Sequence, residues 1–342
     1  MRSSGLTVIA GVAAALCFSS IFISLMAGQF FFPLSTLPLF LILFILPPRE
    51  IWLALAGAGI ALTALSLGGV LNTPLWLILA AFMGLAALPV MFAGTIYTQP
   101  LGYDEDGEPD LFVPAEVPVI SLTFYSLIVF YTVLAFSHQL FGDSLYATVF
   151  TETLQLAKEI RAEFIAAYPE VKNTPLAFPE VVAKNATLNI AGLVVFFFTT
   201  CHLANLYLAQ WVARRFHLTD HPMPQLANLY FPHQFLAFFV GSLIFFGYLM
   251  FAGMPESMKF AFIPPIVAFG LPLFLQGLST LHRILLKRLV KAGLISVYLG
   301  LFLGLLFMPI PLCIIFLTLG AGNNAWVLIK NRAQNSSNET EN

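Results

Sequence analysis

The chain has 342 residues, of which 59% are hydrophobic and only 9% are charged, with a formal net charge of −2. A soluble globular domain carries about 25% charged residues, so this composition excludes an ordinary soluble protein and favours an integral membrane protein. Nothing in the charge balance indicates nucleic-acid binding. Cys17, Cys201 and Cys313 each lie in an apolar segment, which favours buried thiols over disulfides or metal ligands.

Apolar segments long enough to cross a bilayer recur along the chain, and roughly 18 such residues already make a candidate spanning helix. They do not alternate like membrane β-strands, which are about ten residues long. We therefore predict an all-α polytopic membrane protein, a helical bundle of about ten spans, with eight or nine as alternatives. The predicted spans are 6–26, 30–46, 51–70, 74–97, 117–140, 188–212, 235–251, 260–281, 294–308 and 312–329.

The first span is longer than the apolar part of a signal peptide, so we expect it to be retained as a helix. Small residues line one face of this span, namely Ala10, Gly11, Ala14 and Ala15. Such a face lets two helices approach closely in lipid, where packing drives association. We predict a helix-docking face with two alternative partners: a helix of the same bundle, or a separate subunit.

The second span contains Pro33 and Pro38. Proline is tolerated in a membrane helix only where neighbouring groups satisfy the carbonyl groups that it frees. We therefore expect polar partners beside this span.

Residues 98–116 follow the fourth span and hold six carboxylates without any Lys or Arg. We predict a solvated acidic loop. Cation binding by Asp104, Asp106 and Glu108 is the alternative, although the full calcium-loop pattern is absent.

Residues 141–187 are predicted to form a long extracytoplasmic segment between the fifth and sixth spans. Asp143 or Ser144 is placed to cap a helix there. The apolar face of that helix carries Phe150, Leu154, Ala157, Phe164 and Tyr168, and several glutamates lie opposite. We predict an amphipathic helix that lies on the membrane surface or covers the end of the bundle.

Cytoplasmic loops of membrane proteins carry an excess of Lys and Arg. With ten spans and a cytoplasmic N-terminus, ten of the 15 cations face the cytoplasm, among them Arg283, Lys287, Arg288 and Lys291. We therefore predict a multi-pass protein, embedded in the lipid bilayer, with both termini in the cytoplasm. Residues 1–330 are predicted to form a single transmembrane domain, and residues 331–342 a disordered polar tail.

The middle of each predicted span lacks Asp, Glu, Lys and Arg, which argues against a carboxylate proton relay. Neutral polar residues occur instead at similar depths, and they form the candidate ligand-binding layer: His202, Asn205, Gln276, Asn323 and Asn324. The helical rise places Asn205, Gln276 and Asn323 each roughly 10–14 Å from a basic boundary residue. Two interpretations are open: interhelical hydrogen bonds, averaging about 0.6 kcal/mol in such bundles, or a functional role as a small polar pocket or a hinge.

Catalytic and nucleotide motifs are missing, since the sequence has no P-loop, no H-E-x-x-H and no G-x-S-x-G. His217, Asp220, His221 and His233 gather after the sixth span, but their spacing matches no standard zinc pattern. We predict a protein that is not an enzyme and that has no cofactor and no metal site.

Short motifs succeed one another in an order that resembles the YybS-like family of uncharacterised bacterial integral membrane proteins. They are Leu37-Pro38-Leu39-Phe40, the segment from Asn205 to Gln210 leading to Arg214-Arg215, Gln276-Gly277-Leu278 with His282, Tyr298, and Leu319-Gly320 leading to Asn331-Arg332. The resemblance covers nearly the whole chain and implies a bacterial cytoplasmic membrane.

That family is grouped with the substrate-binding S components of energy-coupling-factor vitamin transporters. The resemblance implies an S-component-like core, a small vitamin-like ligand of unknown identity, and separate partner subunits in the membrane. Ala10 and Ala14 are similar to the docking pattern of the first S-component helix. The chain departs from that pattern, because S components have about six spans and no substrate motif is transferred. A structural or assembly factor of the cell envelope, without a ligand, is the alternative.

Overall fold

A computed structural model of the chain describes residues 2–103, 109–168, 178–223, 229–290, 293–294, 296–301 and 309–340. It is 84% helical. The described part holds nine helices that are long and apolar enough to cross a membrane. The prediction of an all-α polytopic membrane protein is therefore confirmed.

The helices and strands follow one another as an almost uninterrupted helical series with one short hairpin. They are α1 (Arg2–Ile23), α2 (Leu25–Phe31), α3 (Leu37–Ile45), α4 (Ile51–Leu67), α5 (Leu75–Phe82), α6 (Thr95–Thr98), β1 (Pro100–Tyr103), β2 (Pro109–Phe112), α7 (Glu116–Ala135), α8 (Ser137–Phe141), α9 (Leu145–Ala167), α10 (Pro179–Arg215), α11 (Gln234–Phe251), α12 (Glu256–Leu286) and α13 (Pro309–Thr340).

Apolar helical segments correspond to nine of the ten predicted spans. They are Ser4–Ile23, Met26–Ile45, Pro48–Leu67, Leu75–Thr98, Glu116–Ala135, Pro179–Arg215, Gln234–Phe251, Glu256–Leu286 and Pro311–Lys330. The remaining predicted span, 294–308, lies mostly outside the described residues. Its existence stays a prediction, as do the kind of membrane and the orientation of the termini.

The chain divides into two compact units, Met1–Tyr125 with Phe197–Gln225, and Ser126–Phe196 with Leu226–Asn342. The hydrophobic core of the first unit contains Phe18, Phe40, Leu62, Tyr97 and Leu206 among its buried residues. That of the second unit contains Phe130, Val195, Phe260 and Ala268. The single domain over residues 1–330 stays a prediction.

The fourth spanning segment is an irregular helix. Two π-helical turns, Met83–Ala87 and Val90–Gly94, lie on either side of Pro89 and join α5 to α6. Proline has no N–H and therefore leaves the carbonyl of Leu85, four residues earlier, without its α-helical donor. A wider turn is one way for a helix to accommodate such a defect.

The segment 98–116 contains a two-stranded antiparallel hairpin, in which Pro100 pairs with Phe112 and Gly102 with Leu111. The prediction of a loop throughout this segment is therefore wrong at its two ends, where Tyr103 and Phe112 are aromatic residues of the kind that suits a strand. The predicted cation ligands Asp104, Asp106 and Glu108 lie outside the described residues.

A helix is observed, as α9, in the segment where the sequence predicts one, whereas its place on the membrane surface or at the end of the bundle stays a prediction. Helix α9 begins at its predicted cap, because the hydroxyl of Ser144 accepts a hydrogen bond from the N–H of Ala147 at 3.2 Å. A stripe of exposed apolar side chains, four residues apart, runs along it: Leu156, Ile160, Phe164 and Tyr168. At the other end of the chain, the backbone of α13 continues to Thr340. The disordered tail predicted for residues 331–342 stays a prediction.

Candidate functional site

The small-residue face of α1 packs against α4 of the same chain. A Cβ atom on Gly11 would lie 1.8 Å from the backbone oxygen of Ala54, so the two backbones touch at this point. Ala14 and Ala15 are fully buried, and Ala10 is half-buried. The structure thus places the predicted docking face inside the first unit. A separate subunit could use this face only if α4 left it.

His202, on α10, satisfies the helix defect at Pro89. One ring nitrogen lies 2.9 Å from the carbonyl oxygen of Leu85, which lacks an α-helical donor, and the other lies 2.7 Å from that of Phe198. Both partners can only accept, so a neutral imidazole donates to one carbonyl at a time. His202 is therefore buried as predicted, but its contacts are with the backbone of its own unit.

Asn205, one turn further along α10, forms hydrogen bonds with the irregular segment that precedes α3. Its Nδ2 donates to the carbonyl of Pro33 and, at 2.7 Å, to the hydroxyl of Thr36. The chain between the 3₁₀ turn Phe32–Leu34 and α3 is not regular helix, so its polar groups need partners from elsewhere. The bonded carbonyl is that of Pro33 itself and not that of Gln29 or Leu34, four residues before the prolines. The expectation of partners for the carbonyls that the prolines free therefore stays a prediction.

We expect the change Asn205→Ala to lower the free energy of unfolding by about 1–2 kcal/mol, because it leaves buried acceptors without a donor. SDS-induced unfolding in mixed micelles measures this. A double-mutant cycle with Thr36→Ala isolates the side-chain bond and should return a coupling below about 1.7 kcal/mol, the upper end for such bonds. Wild-type stability in Asn205→Ala would contradict the role assigned to this amide.

Gln276 on α12 and Asn324 on α13 hold the peptide group of Phe231 in the second unit. The Gln276 Oε1 accepts from the N–H of Phe231 at 3.3 Å, and the Asn324 Nδ2 donates to the carbonyl of Phe231 at 2.7 Å. The same Nδ2 donates to Gln276 Oε1 at 3.3 Å. The hydroxyl of Ser279 adds a longer bond of 3.4 Å to the carbonyl of Leu229.

The Phe231 peptide also dictates how both amides are oriented. Its N–H can only donate and its carbonyl can only accept, so the contacting atoms must be the oxygen of Gln276 and the nitrogen of Asn324. The other atom of each amide then has a known character. Gln276 Nε2 is a donor and Asn324 Oδ1 is an acceptor, and neither has a hydrogen-bond partner within the described part of the chain. Both side chains are 0% exposed.

Asn323 does not belong to this cluster. It is half-buried, and its Oδ1 accepts from the guanidinium of Arg283 at 3.3 Å. Consecutive residues on a helix point about 100° apart, which explains why Asn324 faces the interior and its neighbour does not. The predicted amide layer is thus divided between the units: Asn205 binds within the first, and Gln276 with Asn324 within the second. Further along α12, His282 and Tyr298 are hydrogen-bonded to each other.

A network around His221 in the first unit was missed by the sequence interpretation. The hydroxyl of Tyr97 donates to Gln210 Oε1 at 3.3 Å, and Gln210 Nε2 donates to His221 Nδ1 at 2.8 Å. The His221 Nε2 then carries the proton and donates to the carbonyl of Tyr97 at 2.8 Å. The rings of Phe44 and Phe112 enclose the imidazole. The sequence feature that could have indicated this network is Gln210, near the end of a long apolar helix, followed by His221 in the next connector.

The environment of His221 disfavours the charged imidazolium. Burial lowers the pKa of His221 below its usual value near 6.5, and the neighbouring Arg214 acts in the same direction, against the two carbonyl groups of Tyr97 and Pro222. Protonation of Nδ1 would also direct two N–H donors at each other, because Gln210 already donates there. This connector is therefore bound by a neutral histidine.

We expect acid to destabilise the protein in part through His221. Because the folded pKa is lowered, the unfolded chain binds the proton first, so stability is complete above pH 6.5 and falls as the pH decreases below it. One such group changes the unfolding free energy by up to about 1.4 kcal/mol per pH unit. Micellar unfolding at stepped pH should show a shallower acid slope in His221→Phe and an unchanged slope in His217→Asn, whose side chain is exposed. Equal slopes in all three proteins would contradict this role.

Metal-ligating groups do not converge in the described ranges: no three His, Cys, Asp or Glu side chains lie close enough there to share an ion. In particular, both ring nitrogens of His221 are occupied by protein partners. Comparisons with known proteins give no matching family model, no matching curated protein and no matching solved structure.

Proposed function

We propose that this integral membrane protein is a non-catalytic subunit that binds a small polar molecule beside Gln276 and Asn324. The observation that supports the proposal is a donor on Gln276 and an acceptor on Asn324 that have no partner among the residues that the structure describes, both on fully buried side chains. An unpaired polar group in an apolar interior costs about 1–3 kcal/mol, so a polar guest there is favoured. Arg283, the nearest cation along α12, is bound to Asn323.

The proposal includes separate partner subunits. The reason is the resemblance of the chain to the YybS-like family, which is grouped with the S components of vitamin transporters. A chain without a P-loop would take energy for transport from an ATPase on another chain. The partner would not bind the small-residue face of α1 in the manner of S components, because Gly11 and its neighbours already pack on α4. Purification in a mild detergent, followed by identification of stoichiometric membrane partners, tests this part.

A second candidate function, a structural or assembly factor without a ligand, is favoured by a different observation. Asn205, His202 and the oxygen of Gln276 all bind backbone groups of their own unit. Such contacts stabilise irregular backbone in lipid whether or not a solute is present. In this alternative, changes at these residues alter stability alone.

The two candidates are separated by mass spectrometry of small molecules released when the purified protein is denatured. Under the first, wild type releases one polar solute in near-equal amount. The variant Gln276→Met, which lacks the unpaired donor, releases at least tenfold less. The control Thr318→Ala, which loses a hydrogen bond to Ile314 on the exposed side of α13, releases the wild-type amount. If wild type releases no stoichiometric solute, the first candidate is wrong and the structural factor remains.

A further inference from the structure

The two free atoms of the Gln276–Asn324 pair belong to two amides that are already joined by one hydrogen bond. Asn324 Nδ2 donates to Gln276 Oε1, so one half of a doubly bonded amide pair is formed. The other half, from Gln276 Nε2 to Asn324 Oδ1, is open, since neither atom has a partner in the described ranges. The pair therefore leaves one donor and one acceptor unpaired in the described part of the chain.

We infer that the guest presents an uncharged group that both accepts and donates a hydrogen bond, that is, a carboxamide or a hydroxyl. This inference rests on the proposed function. A hydroxyl or carboxamide accepts from the N–H of Gln276 and donates to the oxygen of Asn324, which completes the second half of the pair.

Charged guests do not match this pair. A carboxylate only accepts, so it would set an oxygen against Asn324 Oδ1, and an ammonium only donates, so it would set N–H groups against Gln276 Nε2. Among the described residues, the hydrogen-bonding members of this cluster are two amides, the hydroxyl of Ser279 and the backbone of the connector near Phe231. None of these members carries a charge that could balance an ion. Burying an ion without a partner is far more costly than burying a neutral group.

The orientation of the amides is the decisive step in this inference. If both were rotated, the amide nitrogen of Gln276 would face the N–H of Phe231, and the oxygen of Asn324 would face its carbonyl. Two bonds would become two repulsive contacts. The peptide group of Phe231 thus selects which end of the guest meets which helix: the acceptor end faces α12 and the donor end faces α13.

The test uses four probes of similar size and the full-length protein in lipid nanodiscs. Propionamide and 1-propanol carry the predicted chemistry, whereas propionate and propylammonium are charged. Glutamine side chains are labelled with ¹⁵N, and the Gln276 amide resonance is assigned by its loss in Gln276→Met. We expect the two neutral probes to shift this resonance saturably, with at least tenfold higher affinity than either ion. The same result is expected in Thr318→Ala, which loses a hydrogen bond to Ile314 on the exposed side of α13.

The outcomes separate the inference from the function on which it rests. Tighter binding of propionate or propylammonium at the Gln276 resonance would refute the neutral class, while the proposal of a solute site would stand. A response to none of the four probes, with a single ordered water between the two free atoms, would overturn both. A stoichiometric solute that is released from the purified protein and carries only charged groups would refute the class alone.

Discussion

The change Gly320→Ala is expected to destabilise the protein by about 3 kcal/mol or to prevent assembly of α12 with α13. A Cβ atom at this position would lie 1.9 Å from the backbone oxygen of Leu273 and 3.0 Å from the nitrogen of Gly277. The obstacle is backbone and not the end of a flexible side chain, so the two helices have to move apart. Gly277 meets the backbone of Phe316 in the same way, at 1.9 Å.

The matched control is Gly322→Ala, two residues later on the same helix, where an added Cβ has no atom within 4 Å. This variant should stay within about 1 kcal/mol of wild type, since alanine is the better helix former. Both stabilities are measured by SDS titration in mixed micelles. Because the two substitutions are chemically identical, equal stabilities would show that α12 and α13 are not in backbone contact at Gly320.

The spanning helices could be predicted from the sequence because their signal is local. Length, hydropathy and the absence of charge define such a segment without reference to its neighbours. The hairpin formed by residues 100–103 and 109–112 could not be predicted, because a strand pair is defined by contacts between two short segments. The six carboxylates in this segment are typical of a solvated loop and favoured that prediction instead. The two π turns were missed for a related reason, since Pro89 indicates a defect but does not specify how the helix absorbs it.

The sequence predicts which polar residues of the candidate site are buried better than it predicts which of them lie together. His202, Asn205, Gln276 and Asn324 are all buried polar groups, as expected from their place in apolar segments. Depth along a helix says nothing of direction around it, so the sequence could not distinguish Asn324 from Asn323. Nor could it identify the Phe231 peptide as the shared partner, because a backbone group leaves no trace in residue type.

The role of Gln276 leads to the second large expected effect, a loss of about 2–4 kcal/mol in the unfolding free energy on Gln276→Ala. A bond between polar side chains in a membrane protein averages about 0.6 kcal/mol and reaches about 1.7 kcal/mol. Gln276 exceeds that range because its oxygen accepts from two donors at once, and one is the N–H of Phe231. Truncation leaves this N–H unpaired and opens a cavity at a fully buried position.

Two further variants show whether the acceptor oxygen is responsible. Gln276→Met retains most of the side-chain volume but has no amide oxygen to accept from Phe231 and Asn324, so it should still show at least half of the loss. Ser279→Ala removes one long bond to the same connector and should cost under about 1 kcal/mol. Unfolding is followed in the same micelles. A cost for Gln276→Ala below about 0.6 kcal/mol would mean that the connector at Phe231 is held by packing alone, and the amide orientation that defines the proposed solute site would lose its basis.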